Sequence, residues 1–135
     1  MTQNPNFPAS LKRLFKRGWY LLLMAASLPF LVFFFGFCAK RMDEYDCAMG
    51  ILEQSPAVQR EIGLPFKPGL FAWMPYFESA GAMRQGAFST SISGPEGEGK
   101  VRVEFYRAPI GARLYIRLER GEGETDVYDG PYVCP

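Results

Sequence analysis

Few side chains in this sequence have types and spacings suited to chemistry. The chain has three cysteines, Cys38, Cys47 and Cys134, and no histidine. The commonest general base and the usual zinc and haem ligand are therefore absent. Three cysteines alone do not make a zinc site, and neither common glycine-rich phosphate loop occurs. We predict a binding protein and not an enzyme, with no catalytic residue, metal site, cofactor or small-molecule substrate.

The charges nearly balance, with 15 Lys and Arg against 14 Asp and Glu in 135 residues and a net charge of +1. Because a nucleic-acid-binding domain normally shows a basic stripe, no nucleic-acid partner is expected. The charges are nevertheless divided unevenly. Residues 1–39 carry four basic and no acidic side chains, whereas residues 40–135 carry eleven basic and fourteen acidic ones.

An apolar run extends from Trp19 to Ala39, 21 residues without a charge. As a helix it would be about 31 Å long, close to the thickness of the hydrocarbon core of a bilayer. A cleavable signal peptide is the closest alternative. Its apolar region is normally about 7 to 15 residues long, however, and no A-x-A-like cleavage site precedes Lys40. We therefore predict a transmembrane helix over residues 19–39, in contact with the lipid bilayer.

The basic residues that flank this helix predict its orientation. Four precede it and two follow it closely: Lys12, Arg13, Lys16 and Arg17, then Lys40 and Arg41. The positive-inside rule then places the N-terminus in the cytoplasm. We expect a cytoplasmic basic tail over 1–18, a periplasmic domain over 40–120 and a C-terminal tail over 121–135. The membrane would be the inner membrane of a bacterium or a mitochondrial-type inner membrane.

Cys47 and Cys134 lie near the two ends of the predicted soluble part, in what this orientation makes an oxidising compartment. One hypothesis is a disulfide that ties the C-terminal tail to the first helix of the domain. Two free thiols are the alternative. Free thiols would also allow a membrane-tethered redox or copper-handling factor, since thiolates suit copper(I). The chain has no C-x-x-C motif and no dense methionine cluster, which disfavours that role.

Apolar periodicity predicts an α+β domain with one or two short helices packed on a three- to five-stranded antiparallel sheet. Met42, Tyr45, Met49 and Leu52 would form one face of the first helix. Ser55 and Pro56 would start a second helix that ends at Gly63.

The strands follow these helices. Residues 71–79, broken by Pro75, predict an edge strand or a bulge. Apolar residues then alternate with polar ones in three further stretches, with Phe88, Val103 and Ile116 among the apolar ones. The acidic, glycine-punctuated segment 121–129 predicts a loop or tail.

Aromatic side chains are the candidates for binding a partner, because aromatics anchor interfaces. They are the stretch Phe71, Trp73, Tyr76 and Phe77, together with Tyr106 and Tyr115 on the polar face of the predicted sheet. Core packing is the favoured role of the first four, and a solvated sheet surface is the simplest role of the polar face. Within the predicted span, Ala25, Ala26, Ser27 and Gly36 are small enough to let a neighbouring helix approach closely.

Two motifs of the soluble part are similar to those of a known family. The chain has S-P-A-V-x-x-x-I-G-L-P-F from Ser55 to Phe66 and S-I-S-G-P-E-G-E-G-K-V-R-V from Ser91 to Val103. With the N-terminal anchor and short helix, they resemble the cytochrome oxidase complex assembly factor family. That family is related to the intermembrane-space domain of the singly anchored subunit of the mitochondrial presequence translocase. The matching positions are Ile62, Gly63, Leu64 and Pro65, then Gly94, Gly97 and Gly99.

The resemblance covers residues 42–120 and implies a non-enzymatic protein. It would be an assembly or accessory factor of a respiratory complex, with cytochrome oxidase or a respiratory supercomplex as the membrane partner. Members of the family have one span and present their domain on the positive side of the energy-transducing membrane. That placement agrees with the orientation predicted from charge.

Overall fold

The chain is an α+β protein, as the sequence predicts. The computed structural model describes residues 9–134, with the side chains of Arg13 and of Lys16 onward. The helices are α1 (Ala9–Ala39), α2 (Asp43–Gln54) and α3 (Pro56–Glu61). The strands are β1 (Lys67–Ala80), β2 (Met83–Gly94), β3 (Gly97–Ala108), β4 (Gly111–Arg120) and β5 (Gly123–Pro131). They form one antiparallel sheet in the order of the sequence.

The predicted span lies in α1. The segment Lys16–Ala39 has a mean hydropathy of 2.4 and is long and apolar enough to cross a membrane. By length and composition, such a helix near the N-terminus is suited to be a membrane anchor or a signal sequence. Residues 1–8 of the predicted basic tail, the Lys12 side chain and Pro135 lie outside the described residues. The chain divides into two compact units, with the boundary between Phe34 and Phe35.

The sequence predicted that the domain starts at residue 40, but the unit that contains the sheet begins at Phe35. Gly36 and Ala39, in the last turn of α1, are buried. A Cβ atom on Gly36 would overlap the ring of Phe71 and lie 2.9 Å from the carbonyl oxygen of Ala72. Nζ of Lys40 donates a hydrogen bond to the carbonyl oxygen of Gly69. β1 therefore packs against Gly36, so this glycine is not available for close packing of a neighbouring helix.

Replacing Gly36 by alanine is expected to destabilise the sheet unit by about 1–3 kcal/mol, because the added methyl group overpacks the contact with β1. Gly50, in α2, has no atom within 4 Å of the position of a Cβ and is the matched control. Gly50→Ala should stabilise the protein by about 0.5–1 kcal/mol through helix propensity. Urea unfolding of the full chain in detergent measures both changes, and a stabilising Gly36→Ala would contradict the packing described here.

The two predicted short helices are confirmed. Ser55 ends α2 and precedes α3, and Pro56 is the first residue of α3. Gly63 has a φ of +82°, the left-handed conformation that favours glycine after a helix. On α2, Tyr45 and Leu52 are buried, so the predicted stripe packs on the sheet.

The apolar face of the sheet is the core, as the alternating pattern predicts. Side chains from the three central strands are buried on it: Phe88, Ile92, Val101, Val103, Phe105, Leu114, Ile116 and Leu118. Each hairpin has two residues between its last paired positions, as at Gly94 and Gly97. Short hairpins keep the strands in register, so the polar residues between the apolar ones share the opposite face.

β1 is an edge strand with irregular register, which confirms the prediction from Pro75. The pairing with β2 shifts between Trp73 and Tyr76. Because proline has no N–H, it cannot complete the ladder at this point. The shift puts Tyr76 opposite Ala87, on the polar face of the sheet.

The prediction of a loop or tail after residue 120 is wrong over most of its length, because Gly123–Pro131 forms β5. Gly121, with a φ of +60°, makes the turn from β4. Val127 and Tyr128 are partly buried and packed against the core. The acidic residues that suggested a loop instead face basic residues of β4, as in the pair of Asp126 and Arg117.

Candidate functional site

The polar face of the sheet carries an open groove of about 740 Å³. Tyr76, Glu104 and Tyr115 occupy one cross-strand row of this face. Tyr106 lies in the neighbouring row, opposite Gln85. The groove lining includes Tyr76, Gln85, Arg102, Glu104, Tyr106, Arg113, Tyr115 and Asp129, so it is aromatic at several points and charged between them. We call this feature the tyrosine groove.

One wall of the tyrosine groove is held by a network between β4 and β5. The Tyr115 hydroxyl donates to Oδ1 of Asp126 at 2.5 Å. Nε of Arg117 donates to the same oxygen at 3.1 Å, and Nη1 of Arg117 donates to Oε2 of Glu124 at 2.7 Å. The Arg117 guanidinium also lies over the Tyr115 ring, 5.3 Å from its centroid. These contacts fix the orientation of the Tyr115 ring.

The same network changes the acidity of its members. The Tyr115 hydroxyl and then the Arg117 guanidinium stabilise the charged form of Asp126 and lower the pKa of this carboxyl group. The hydrogen bond to Asp126 in turn raises the pKa of the Tyr115 hydroxyl, with burial as a lesser cause. At neutral pH, therefore, Tyr115 is the donor and Asp126 the acceptor.

Replacing Tyr115 by phenylalanine is expected to raise the pKa of Asp126 toward its ordinary value, because the first cause of its lowering is removed. A carboxyl group with a lowered pKa in the folded state stabilises the protein above its unfolded-state pKa. That contribution is lost as the pH falls through the folded-state pKa. Carboxyl-carbon NMR titration of the full chain measures this change. Tyr106→Phe is the control, and an unchanged Asp126 pKa in Tyr115→Phe would contradict the network.

Tyr76 is held in a similar way on the opposite wall of the groove. Its hydroxyl donates to Oε2 of Glu78 at 2.9 Å, and the Gln85 amide donates to both groups, at 2.5 and 2.7 Å. The amide of Gln85 and then the Tyr76 hydroxyl lower the pKa of Glu78. Hydrogen bonds thus fix the orientation of a tyrosine on each wall, and a side chain oriented in advance would lose less entropy in an interface.

The structure separates the six predicted partner-binding residues into three places. Tyr76, Tyr106 and Tyr115 line the tyrosine groove. Phe71 and Trp73 lie in the first half of β1, with ring centroids 6.4 Å apart. Phe77 packs at the far end of the sheet against Phe105, with centroids 6.4 Å apart.

Core packing, the favoured role of the β1 aromatics, is wrong for three of them. Trp73, Tyr76 and Phe77 are 50%, 47% and 42% exposed, and Phe71 is half-buried. Spacing along β1 predicted an apolar stretch. These aromatic side chains are exposed because β1 is an edge strand with an irregular register around Pro75.

Cys47 and Cys134 form a disulfide, with Cα atoms 5.7 Å apart. It links α2 to the segment that follows β5. Cys47 is buried and Cys134 is half-buried. Neither sulfur is a thiolate in this state, so the pair offers no copper(I) ligand until it is reduced. Cys38 is a free thiol.

An ion cluster around a buried glutamate, with two partly exposed arginines, lies near this disulfide. Glu44, on α2, is fully buried and accepts hydrogen bonds from Nη2 of Arg84 at 3.3 Å and Nη1 of Arg107 at 3.0 Å. The Arg107 guanidinium lies over the ring of Tyr132, 4.5 Å from its centroid. Burial raises the pKa of Tyr132. The cluster therefore joins α2, the central strands and the C-terminal segment.

Sequence reasoning missed this cluster, although two signals for it exist. Arg107 continues the inward-facing series that contains Val103 and Phe105. Glu44 is four residues before Ala48 and eight before Leu52, both buried on α2. Charged residues at core positions of two facing elements are best explained by their pairing.

Within the part of the chain that the structure describes, no group of three or more His, Cys, Asp or Glu side chains is placed to hold a metal ion. What the site offers is a preorganised surface with aromatic anchors, paired charges and an open groove. No protein-family model, curated protein or solved structure matches this chain.

Proposed function

We propose that this protein is a single-pass membrane-anchored assembly or accessory factor of a respiratory complex, and that it acts by protein–protein binding. In this proposal α1 is a retained anchor with its N-terminus in the cytoplasm, and the sheet unit faces the periplasm or an equivalent space. The excess of basic residues before the span supports this orientation.

The observation that carries the proposal is the tyrosine groove. Three tyrosines line one open surface of the sheet, and hydrogen bonds orient two of them. Interfaces are enriched in tyrosine and arginine, and rigid aromatic side chains lose little entropy on binding. The opposite face of the sheet is filled by core residues, so the groove face is the side of the sheet that remains for a partner.

The type of partner is proposed from the motifs at residues 55–66 and 91–103, which resemble those of cytochrome oxidase assembly factors. The first motif contains the end of α3 and Gly63, and the second contains the β2–β3 hairpin. These two segments touch, since the amide of Glu96 donates to the carbonyl oxygen of Ile62 at 2.9 Å. The two motifs thus form one contiguous region of the domain.

Affinity purification of the tagged full chain from native membranes in mild detergent tests the proposal. The wild type should co-purify with a cytochrome oxidase or a supercomplex, and deletion should reduce oxidase assembly and haem content. Tyr106→Glu places a charge in the groove and should abolish the association. Ile110→Glu, at a position 93% exposed in the β3–β4 turn, should retain it. A protein that migrates alone, with unchanged oxidase after deletion, would contradict the proposal.

A further inference from the structure

The first half of β1 presents apolar side chains that the fold leaves uncovered. Leu70 is 92% exposed and Trp73 is 50% exposed. Together with Phe71 and Lys100 they line a hollow of about 450 Å³. We call Leu70, Phe71 and Trp73 the β1 patch. Clusters of exposed large apolar residues generally mark binding sites for proteins or membranes.

The β1 patch lies beside the end of the apolar helix. Gly36 contacts Phe71, and Lys40 donates to the carbonyl oxygen of Gly69. These contacts lie within one compact unit, which begins at Phe35. Ala39 is the last residue of the apolar run. If α1 is inserted, the hydrocarbon therefore ends close to the β1 patch.

The chemistry of the surroundings fits anionic headgroups. Lys40 and Arg41 directly follow α1, Lys67 begins β1, and Lys100 lines the hollow with Leu70 and Trp73. Among the described residues, Lys67 and Lys100 take part in no ion pair. Lysines attract anionic lipids, and tryptophan is enriched where the headgroups meet the hydrocarbon.

We infer that residues 67–73 of β1 rest on a lipid surface, with Leu70 and Trp73 at the boundary of headgroups and hydrocarbon. Lys67 and Lys100 then contact anionic headgroups. This contact requires α1 to be a retained anchor but does not depend on any protein partner. It gives the sheet unit a second attachment to the membrane and covers the β1 patch.

Depth-dependent fluorescence quenching tests the inference. The full-chain variant Trp19→Phe, whose one remaining tryptophan is Trp73, is reconstituted into vesicles of phosphatidylcholine and phosphatidylglycerol. Brominated lipids should remove roughly half or more of its emission, and aqueous iodide should quench it weakly. The control combines Trp19→Phe, Trp73→Phe and Ile110→Trp. Its tryptophan, in the β3–β4 turn, should respond to iodide and not to brominated lipid.

A second pair of variants tests the contribution of the patch itself. In the Trp19→Phe background, Leu70→Asp should reduce the quenching of Trp73 by brominated lipid, whereas Ile110→Asp should not. Both positions are more than nine-tenths exposed, so neither change disturbs the core.

Two results would overturn the inference. Trp73 accessible to iodide and unaffected by brominated lipid would mean that the patch faces water. Trp73 protected from both quenchers would mean that a second copy covers it. The vesicles contain no other protein, so either result is independent of the proposed respiratory partner.

Discussion

Replacing Cys47 and Cys134 together by serine is expected to lower the free energy of unfolding by about 4 to 5 kcal/mol. On the chain-entropy model the cost grows with the length of the closed loop, and these cysteines are 87 residues apart. Urea unfolding of the full chain in detergent, with and without reductant, measures the change. Reductant should destabilise the wild type by a similar amount and leave the double variant unchanged.

Cys38→Ser is the matched control, because Cys38 is a free thiol. It should leave the effect of reductant intact. Thiol labelling of the denatured wild type without reductant should detect one reactive thiol per chain. Three reactive thiols would show that the disulfide is absent, and equal stability of the wild type with and without reductant would show that it does not stabilise the protein.

Replacing Arg84 and Arg107 together by methionine is expected to destabilise the protein by about 3–5 kcal/mol, the range found when a buried charge loses its partners. Glu44, fully buried, would then have neither guanidinium as a partner. Thermal and urea unfolding measure the loss. Arg102→Met is the control, since Arg102 forms an exposed pair with Glu104 and such pairs contribute about 0–1 kcal/mol.

A triple variant separates loss of charge pairing from loss of packing. Adding Glu44→Met to Arg84→Met and Arg107→Met removes the buried charge as well, and apolar replacements of whole ion clusters are often neutral or stabilising. The triple variant should therefore be more stable than the double one. If the triple variant were no more stable than the double one, the loss in the double variant would come from the missing arginine packing and not from an unpaired Glu44.

The two regions are coupled through Tyr132. This residue stacks under Arg107 and is two residues from Cys134. The disulfide is one restraint on the segment that holds Tyr132, beside the hydrogen bond from its amide to the carbonyl oxygen of Ala112, so breaking the disulfide should weaken the arginine stack. A variant that carries both the cysteine and the arginine substitutions should therefore be destabilised by less than the sum of the two separate destabilisations.

The regular elements were predictable because their patterns are local. The i, i+3 and i+4 spacing from Met42 to Leu52 gave α2, and strict alternation gave β2, β3 and β4. Gly63 was predictable for the same reason, since the end of a helix needs a left-handed residue. β5 was missed because its acidic and glycine-rich composition is typical of a loop. Its strand character depends on pairing with Arg117 and Arg113 of β4.

The candidate site was predictable in part. The aromatic residues were identified, but their division between the tyrosine groove, the β1 patch and the contact with Phe105 depends on strand order and on the shift at Pro75. Neither is visible in residue types. Likewise, Glu44 and its arginines are 40 and 63 residues apart, so only the folded chain shows that they pair.

We propose that the tyrosine groove binds a membrane protein partner while α1 anchors the chain. Site-specific photocrosslinking in native membranes, from position 106 in the groove and from position 122 in the exposed β4–β5 turn, tests it most directly. Position 106 should capture a subunit of a respiratory complex, and position 122 should not. Capture of lipid alone, or of the same proteins from both positions, would contradict the claim.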